Sequence, residues 1–143
     1  MKFSFLKSML IAAALMMGFA SCEKDDPEPA LPYEDVFGNW EWISTTPGES
    51  DEAILADSVD YSQSLKITSD GLYTWKKSDS TSDTTLIESD FQIIEDSTAT
   101  EQDVFIFQFD DSSLDDQSFY VKSDTLYLDE NCEQCDSHVF TRK

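Results

Sequence analysis

Short runs of alternating apolar and polar residues, each broken off by turn formers, are the feature that most constrains this chain. Beyond residue 36 no stretch carries apolar residues at the 3.6-residue period for the length of a substantial helix. Eight segments read as strands instead: 39–45, 63–68, 72–77, 84–94, 104–109, 118–122, 125–128 and 138–142. In "SLKITSDGLYTW", Leu65 and Ile67 alternate with polar neighbours, and Asp70-Gly71 offers the positive-φ turn of a hairpin before Tyr73 and Trp75 resume the alternation. Ser123-Asp124 marks a second tight turn, and "DENCEQCDS" a third reversal before "HVFTR". The polar gap 47–61 is long enough for a short helix in "DEAILADSV", whose Ile54, Leu55 and Val59 suit a lid on a barrel mouth or a surface helix.

Neighbouring segments joined by tight turns favour an antiparallel up-and-down meander. Closing that meander into a barrel removes both edges. This matters for "VFIFQF", a run that invites edge-to-edge pairing when left open, with Asp103, Asp110 and Asp111 as flanking charges. The expected fold is therefore all-β, an antiparallel up-and-down barrel of about eight strands.

The amino-terminal stretch has a different character. Lys2 and Lys7 precede the apolar run "LIAAALMM", small residues follow, and the run stops at Cys22. Basic, then apolar, then small is the order of a secretory leader, and the run is far short of the ~20 residues that span a bilayer. Phe19-Ala20-Ser21-Cys22 resembles the lipobox of bacterial lipoproteins, in which the cysteine thiol is acylated and the leader is cleaved before it. Phe19 stands where that family most often has Leu. Glu23-Lys24-Asp25-Asp26 resembles the acidic export tag of Gram-negative bacteria that carry lipoproteins to the outer leaflet. These resemblances imply a signal peptide over 1–21, a flexible acidic tether over 22–35, a folded domain over 36–143, and lipid anchoring at the outer membrane, facing the cell surface. Acyl chains bury about 0.8 kcal/mol per CH₂, so two or three of them make a lasting anchor.

Gly38-Asn39-Trp40 opens the first expected strand and Arg142 lies near the end of the last. This resembles the lipocalin pattern, where G-x-W on the first strand meets a basic residue from the carboxy-terminal end. With "ITSDGLYTW" and "DTLYL…HVFTRK", residues 36–143 resemble the small lipocalin-like domain of secreted bacterial lipoproteins. The resemblance implies a barrel sealed at one end by Gly38, Trp40 and Arg142 and open at the other. The domain is shorter than ligand-carrying lipocalins. An arginine can stack on an indole and still donate hydrogen bonds, which gives the pairing a physical sense.

The chain holds 30 acidic against nine basic residues, a formal charge of −21, and the leader would remove two of the lysines. Nucleic acid is excluded as a partner, because phosphate binding needs a basic face. After lipidation, Cys132 and Cys135 are the remaining thiols. Outside the inner membrane a disulfide is the favoured reading, since positions i and i+3 of a tight turn can reach bridging range. So small a loop contributes at most ~2 kcal/mol. Zinc held by Cys132, Cys135 and His138, and a redox pair, are the alternatives. "FDDSSLDD" offers hard oxygens for calcium, but its spacing is not that of an EF-hand, and a solvated charged loop is the favoured reading. His138, the single histidine, reads as a strand-packing residue, and no G-x-S-x-G elbow accompanies it.

No cofactor and no catalytic residue is expected. The leading expectation is a surface-anchored, non-catalytic lipocalin-like module taking a small apolar or amphipathic ligand, with Trp42, Tyr73 and Trp75 as its lining or as core filling. The alternative is a structural or partner-binding component of an outer-membrane surface assembly with a fully packed barrel. Replacing Cys22 by Ser is expected to move the protein from the membrane fraction to the soluble fraction in cell fractionation.

Overall fold

The computed structural model describes residues 30–99, 103–132 and 134–143. The leader, Cys22 and the acidic residues after it lie outside the described residues. The strands are β1 (Gly38–Thr46), β2 (Ile54–Leu55), β3 (Ser62–Ile67), β4 (Leu72–Ser78), β5 (Asp83–Glu95), β6 (Phe105–Phe109), β7 (Gln117–Lys122), β8 (Thr125–Glu130) and β9 (Ser137–Arg142). Each long strand pairs antiparallel with the next, and β9 pairs back onto β1, with Trp40 opposite Arg142 and Thr45 opposite His138. The result is a closed up-and-down barrel of eight antiparallel strands, of the lipocalin-like kind. Closure covers most of "VFIFQF": β6 pairs with β5 along its whole length and with β7 from Phe105 to Phe107.

The turns that the sequence marks are where the chain reverses. Gly71 has φ +96° and Ser123 φ +57°. The β3–β4 and β7–β8 turns gather with the end of β5, the start of β6, the start of β1 and the end of β9 at the closed end, while the β1–β3, β4–β5 and β6–β7 connections, the end of β8 and the start of β9 ring the mouth.

The gap 47–61 contains no α-helix, contrary to the helical lid or plug expected there. Ile54–Leu55 forms a two-residue strand and Ala56–Ser58 a single 3₁₀ turn. The reason lies in β1. It pairs with β3 only from Gly38 to Glu41, which leaves the edge at Ser44 and Thr45 to be met by Leu55 and Ile54. Ladder bonds for these backbone groups outweigh one turn of isolated helix, which is marginal by itself.

Residues 33–35, assigned above to the flexible tether, are built onto the closed end. Glu34–Val36 is a 3₁₀ turn whose Val36 is fully buried, and the Tyr33 ring packs edge-on against Phe105. An aromatic and an aliphatic side chain gain more from covering the barrel's base than from staying extended in water. The packed domain therefore reaches back to Tyr33.

Inward positions alternate along every long strand and fill the interior with aromatic rings. Trp40, Tyr73, Phe107, Phe119 and Phe140 are completely buried. Phe107 stacks on Phe119 at 4.1 Å and meets Tyr73 edge-on at 5.4 Å. Eight strands leave room for little more than side chains, and here the side chains take it. The Tyr73 hydroxyl donates to Gln117 Oε1 at 2.8 Å. Burial, with Glu130 nearby, pushes the Tyr73 phenol well above its ordinary value, so it stays protonated.

At the closed end the Arg142 guanidinium lies 4.4 Å from the Trp40 ring centroid. It donates to the backbone carbonyls of Phe37, at 3.2 Å, and Asp35. Trp40 Nε1 donates to Val36 O at 2.8 Å. Gly38 has φ +142°, and a Cβ there would lie 3.0 Å from the guanidinium, so glycine suits the position on both counts. Arg142→Ala is expected to lower stability by about 2 kcal/mol, or about 10 °C in Tm. Arg142→Lys, which keeps the charge but not the fork, should fall between, as read by thermal circular dichroism.

Candidate functional site

At the mouth, opposite the Trp40–Arg142 seal, a cavity of about 360 Å³ opens to solvent between β1, β2, β3, β4, β5, β8 and β9. His138 is among the residues that line it. Period-2 alternation along β9 sends Phe140 inward, and His138 follows two residues before it, nearest the mouth. The imidazole is 6% exposed and meets Trp75 edge-on at 4.7 Å.

Thr45 reaches the same layer through a break in the pattern. Trp40 and Trp42 alternate inward, and strict alternation would continue to Ser44. The β1–β9 register slips between Trp42 and Ser44, and the bulge turns Thr45 inward instead. The side chains then form a chain of hydrogen bonds. Trp42 Nε1 donates to Thr45 Oγ1 at 2.9 Å, and Thr45 Oγ1 lies 2.8 Å from His138 Nδ1. An indole can only donate, so the threonine oxygen accepts from it and keeps its own hydroxyl proton, which can be donated to Nδ1. With the hydroxyl donating to Nδ1, the proton of the Nε2–H tautomer sits on the far side of the ring.

Nε2 is buried and has no hydrogen-bond partner among the described residues. Glu130 Oε1 stands 3.6 Å away, beyond hydrogen-bond length, on a side chain about one-third exposed. Leaving a buried donor unmet costs about 1–3 kcal/mol, so such groups are rare in native proteins.

Other walls of the cavity are mixed. Trp75 Nε1 donates to Gln63 Oε1 at 2.8 Å, which leaves the Gln63 amide protons for another partner. Lys77 continues the inward face of β4, with its ammonium 3.7 Å from the centroid of Tyr61, and Tyr61 in turn stacks on Trp42 at 5.5 Å. Ile54, Leu86 and Ile87 supply apolar wall, and Asp136 a second carboxylate. Of the three aromatic residues expected to line a ligand site, Trp75 borders this cavity. Trp42 lies beneath Tyr61, and Tyr73 belongs to the interior.

Thr45, His138 and Glu130 follow one another as a hydroxyl, an imidazole and a carboxylate do in a nucleophilic relay. Thr45 itself is 7% exposed, and its oxygen accepts the Trp42 N–H.

The β8–β9 hairpin frames the rim. Cys132 and Cys135 are joined in a disulfide with Cα atoms 5.3 Å apart, and Gln134 takes φ +72°. Gly48 presses against the backbone of Gln134 and Cys135, where a Cβ would overlap it, and its N–H donates to Asp136 Oδ1 at 3.2 Å. With the two sulfurs bonded to each other, the zinc alternative loses its thiolates. Among the described residues no three His, Cys, Asp or Glu side chains gather to hold a metal ion. In the 110–116 loop, Asp111 accepts from the Ser113 hydroxyl and N–H, at 2.7 and 2.9 Å, and these bonds hold its carboxyl below the usual range. Asp79 and Asp96 do the same in two other turns.

The chain matches no protein-family model, and no curated protein is similar to it.

Sequence reading missed Thr45, Gln63, Lys77, Glu130 and the mouth position of His138. Gln63, Lys77, Glu130 and His138 were detectable in one respect: each is polar yet in phase with the buried residues of its strand, at the same end of the barrel. Thr45 was hidden by the bulge. Thr45→Val keeps the shape but strands both the indole and Nδ1. It is expected to cost about 2–4 kcal/mol in a urea titration, whereas Thr45→Ser should stay within about 1 kcal/mol of wild type.

Proposed function

We propose that this protein is a lipid-anchored, non-enzymatic lipocalin-like module of the outer membrane that holds a small ligand in the mouth of its barrel. The anchor rests on the resemblance of residues 19–22 to a lipobox and on the acidic residues after Cys22. The observation that carries the binding reading is the mouth cavity, with a buried imidazole nitrogen left without a partner. Its size, about 360 Å³, falls at the lower end of small-molecule sites, which run from about 300 to 1,000 Å³. Mixed polar and apolar walls suit an amphipathic molecule better than a purely apolar one. The aromatic interior leaves the deep cavity of a ligand carrier no space, so the ligand sits at the rim of the barrel and not within it. The tied-up Thr45 hydroxyl supports binding without chemistry.

A second reading, a structural part of a surface assembly, draws on that same filled interior and would use the barrel's outer face. Native mass spectrometry of the full protein released from its own membranes separates the two. A retained small molecule, lost in His138→Asn, is the expected result. A co-purifying protein with an empty mouth supports the second reading, and a bare monomer counts against both.

A further inference from the structure

We infer that the mouth site recognises a neutral, hydroxylated molecule of the sugar or polyol class, one hydroxyl of which bridges His138 Nε2 and Glu130. This inference rests on the binding reading given above and names the chemistry of its ligand.

The chemistry follows from the two groups that face each other. If Thr45 supplies a proton to Nδ1, Nε2 carries one and needs an acceptor. The Glu130 carboxylate can only accept and needs a donor. They stand 3.6 Å apart, too far to satisfy each other directly and close enough for one oxygen to contact both. A hydroxyl is both acceptor and donor, so it meets both needs at once. A water molecule can do the same in the free protein, and a ligand hydroxyl would take its place.

The charges around the pair argue for neutrality. Glu130 and Asp136 oppose an anion, as does a chain with a formal charge of −21. Lys77 opposes a cation from the opposite wall. A neutral molecule avoids both. Gln63 adds a second donor about the same cavity, because its oxygen is engaged by Trp75 and its amide protons are not. Ile54 and Ile87 can cover the C–H faces of a ring. Donors and acceptors interleaved with apolar wall are what a polyol requires, since its own hydroxyls alternate with carbon faces. A ligand made only of hydrocarbon would leave Nε2 unmet, at the cost already described.

The single histidine makes the test direct, because the only imidazole ¹⁵N signals in the chain come from His138. Full-length protein labelled with ¹⁵N-histidine, in mild detergent, would be titrated separately with methyl glucoside, sorbitol, butylamine, butyrate and benzene. A saturable shift of the Nε2 resonance with methyl glucoside or sorbitol, and none with the other three, is the expected outcome. Glu130→Gln should weaken that binding by about tenfold. Saturable shifts with butylamine, butyrate or benzene alone would overturn the polyol assignment and leave the binding reading in place. Silence from all five probes, in protein whose wild-type imidazole signals show a folded state, would overturn both. A sugar-induced shift unchanged in Glu130→Gln would overturn the bridging role of the pair.

Discussion

Pairing of the last strand with the first is the constraint on which the molecule depends. Until β9 lies against β1, Trp40 has no guanidinium over it, Thr45 has no imidazole beside it, and two strand edges remain open. The contact spans almost the whole chain, so its loop-closure entropy must be offset by what forms when the ends meet. At the base that means a cation stacked on an indole, the carbonyls of Asp35 in the 3₁₀ turn and of Phe37 just after it bound by the same guanidinium, and an N–H from the indole returned to Val36. One arginine thus fastens the entry of the chain, its first strand and its last.

A barrel of eight strands has a fixed and modest interior, and the choice of residues decides whether it is a core or a container. Here the inward positions are occupied by large rings: Tyr73 and Phe107 cross the middle, and Phe119 and Phe140 close around them. Such filling stabilises a small domain through buried apolar area, and it moves any binding capacity to the end where the rings stop. At that end the inward residues change from Phe and Leu to His, Glu, Gln, Lys and Thr while the strand geometry continues unchanged. The change in chemistry, and not a change in fold, is what makes the mouth different from the base.

One irregularity does much to assemble the mouth. The β1 bulge turns Thr45 inward, and this puts a hydroxyl between the Trp42 indole and the His138 ring. Without it, Ser44 would face inward in its place, with one side chain out of phase from there on. Bulges aim side chains, and this one sets a hydroxyl against the ring whose far nitrogen is buried near Glu130. The disulfide hairpin and Gly48 hold the adjoining rim by close backbone contact, so the mouth is built on covalent and steric restraint as well as on hydrogen bonds.

Strand number, antiparallel order and the direction of closure were legible in the residue pattern, because period-2 alternation and turn residues are local signals. "SDG" before Leu72 and Ser123-Asp124 before Thr125 each acted where they stand. The approach of the two cysteines was legible for the same reason, since three residues in a turn cannot carry them far apart. Other features depend on partners distant in the chain. Ile54 and Leu55 became a strand because β1 had an unpaired edge to offer. Tyr33 joined the domain because Phe105 was there to meet it. Thr45, Glu130 and His138 became neighbours because shear and a bulge brought three strands into one layer. Alternation in one strand says which side a residue faces, but only the closed sheet decides what stands opposite it.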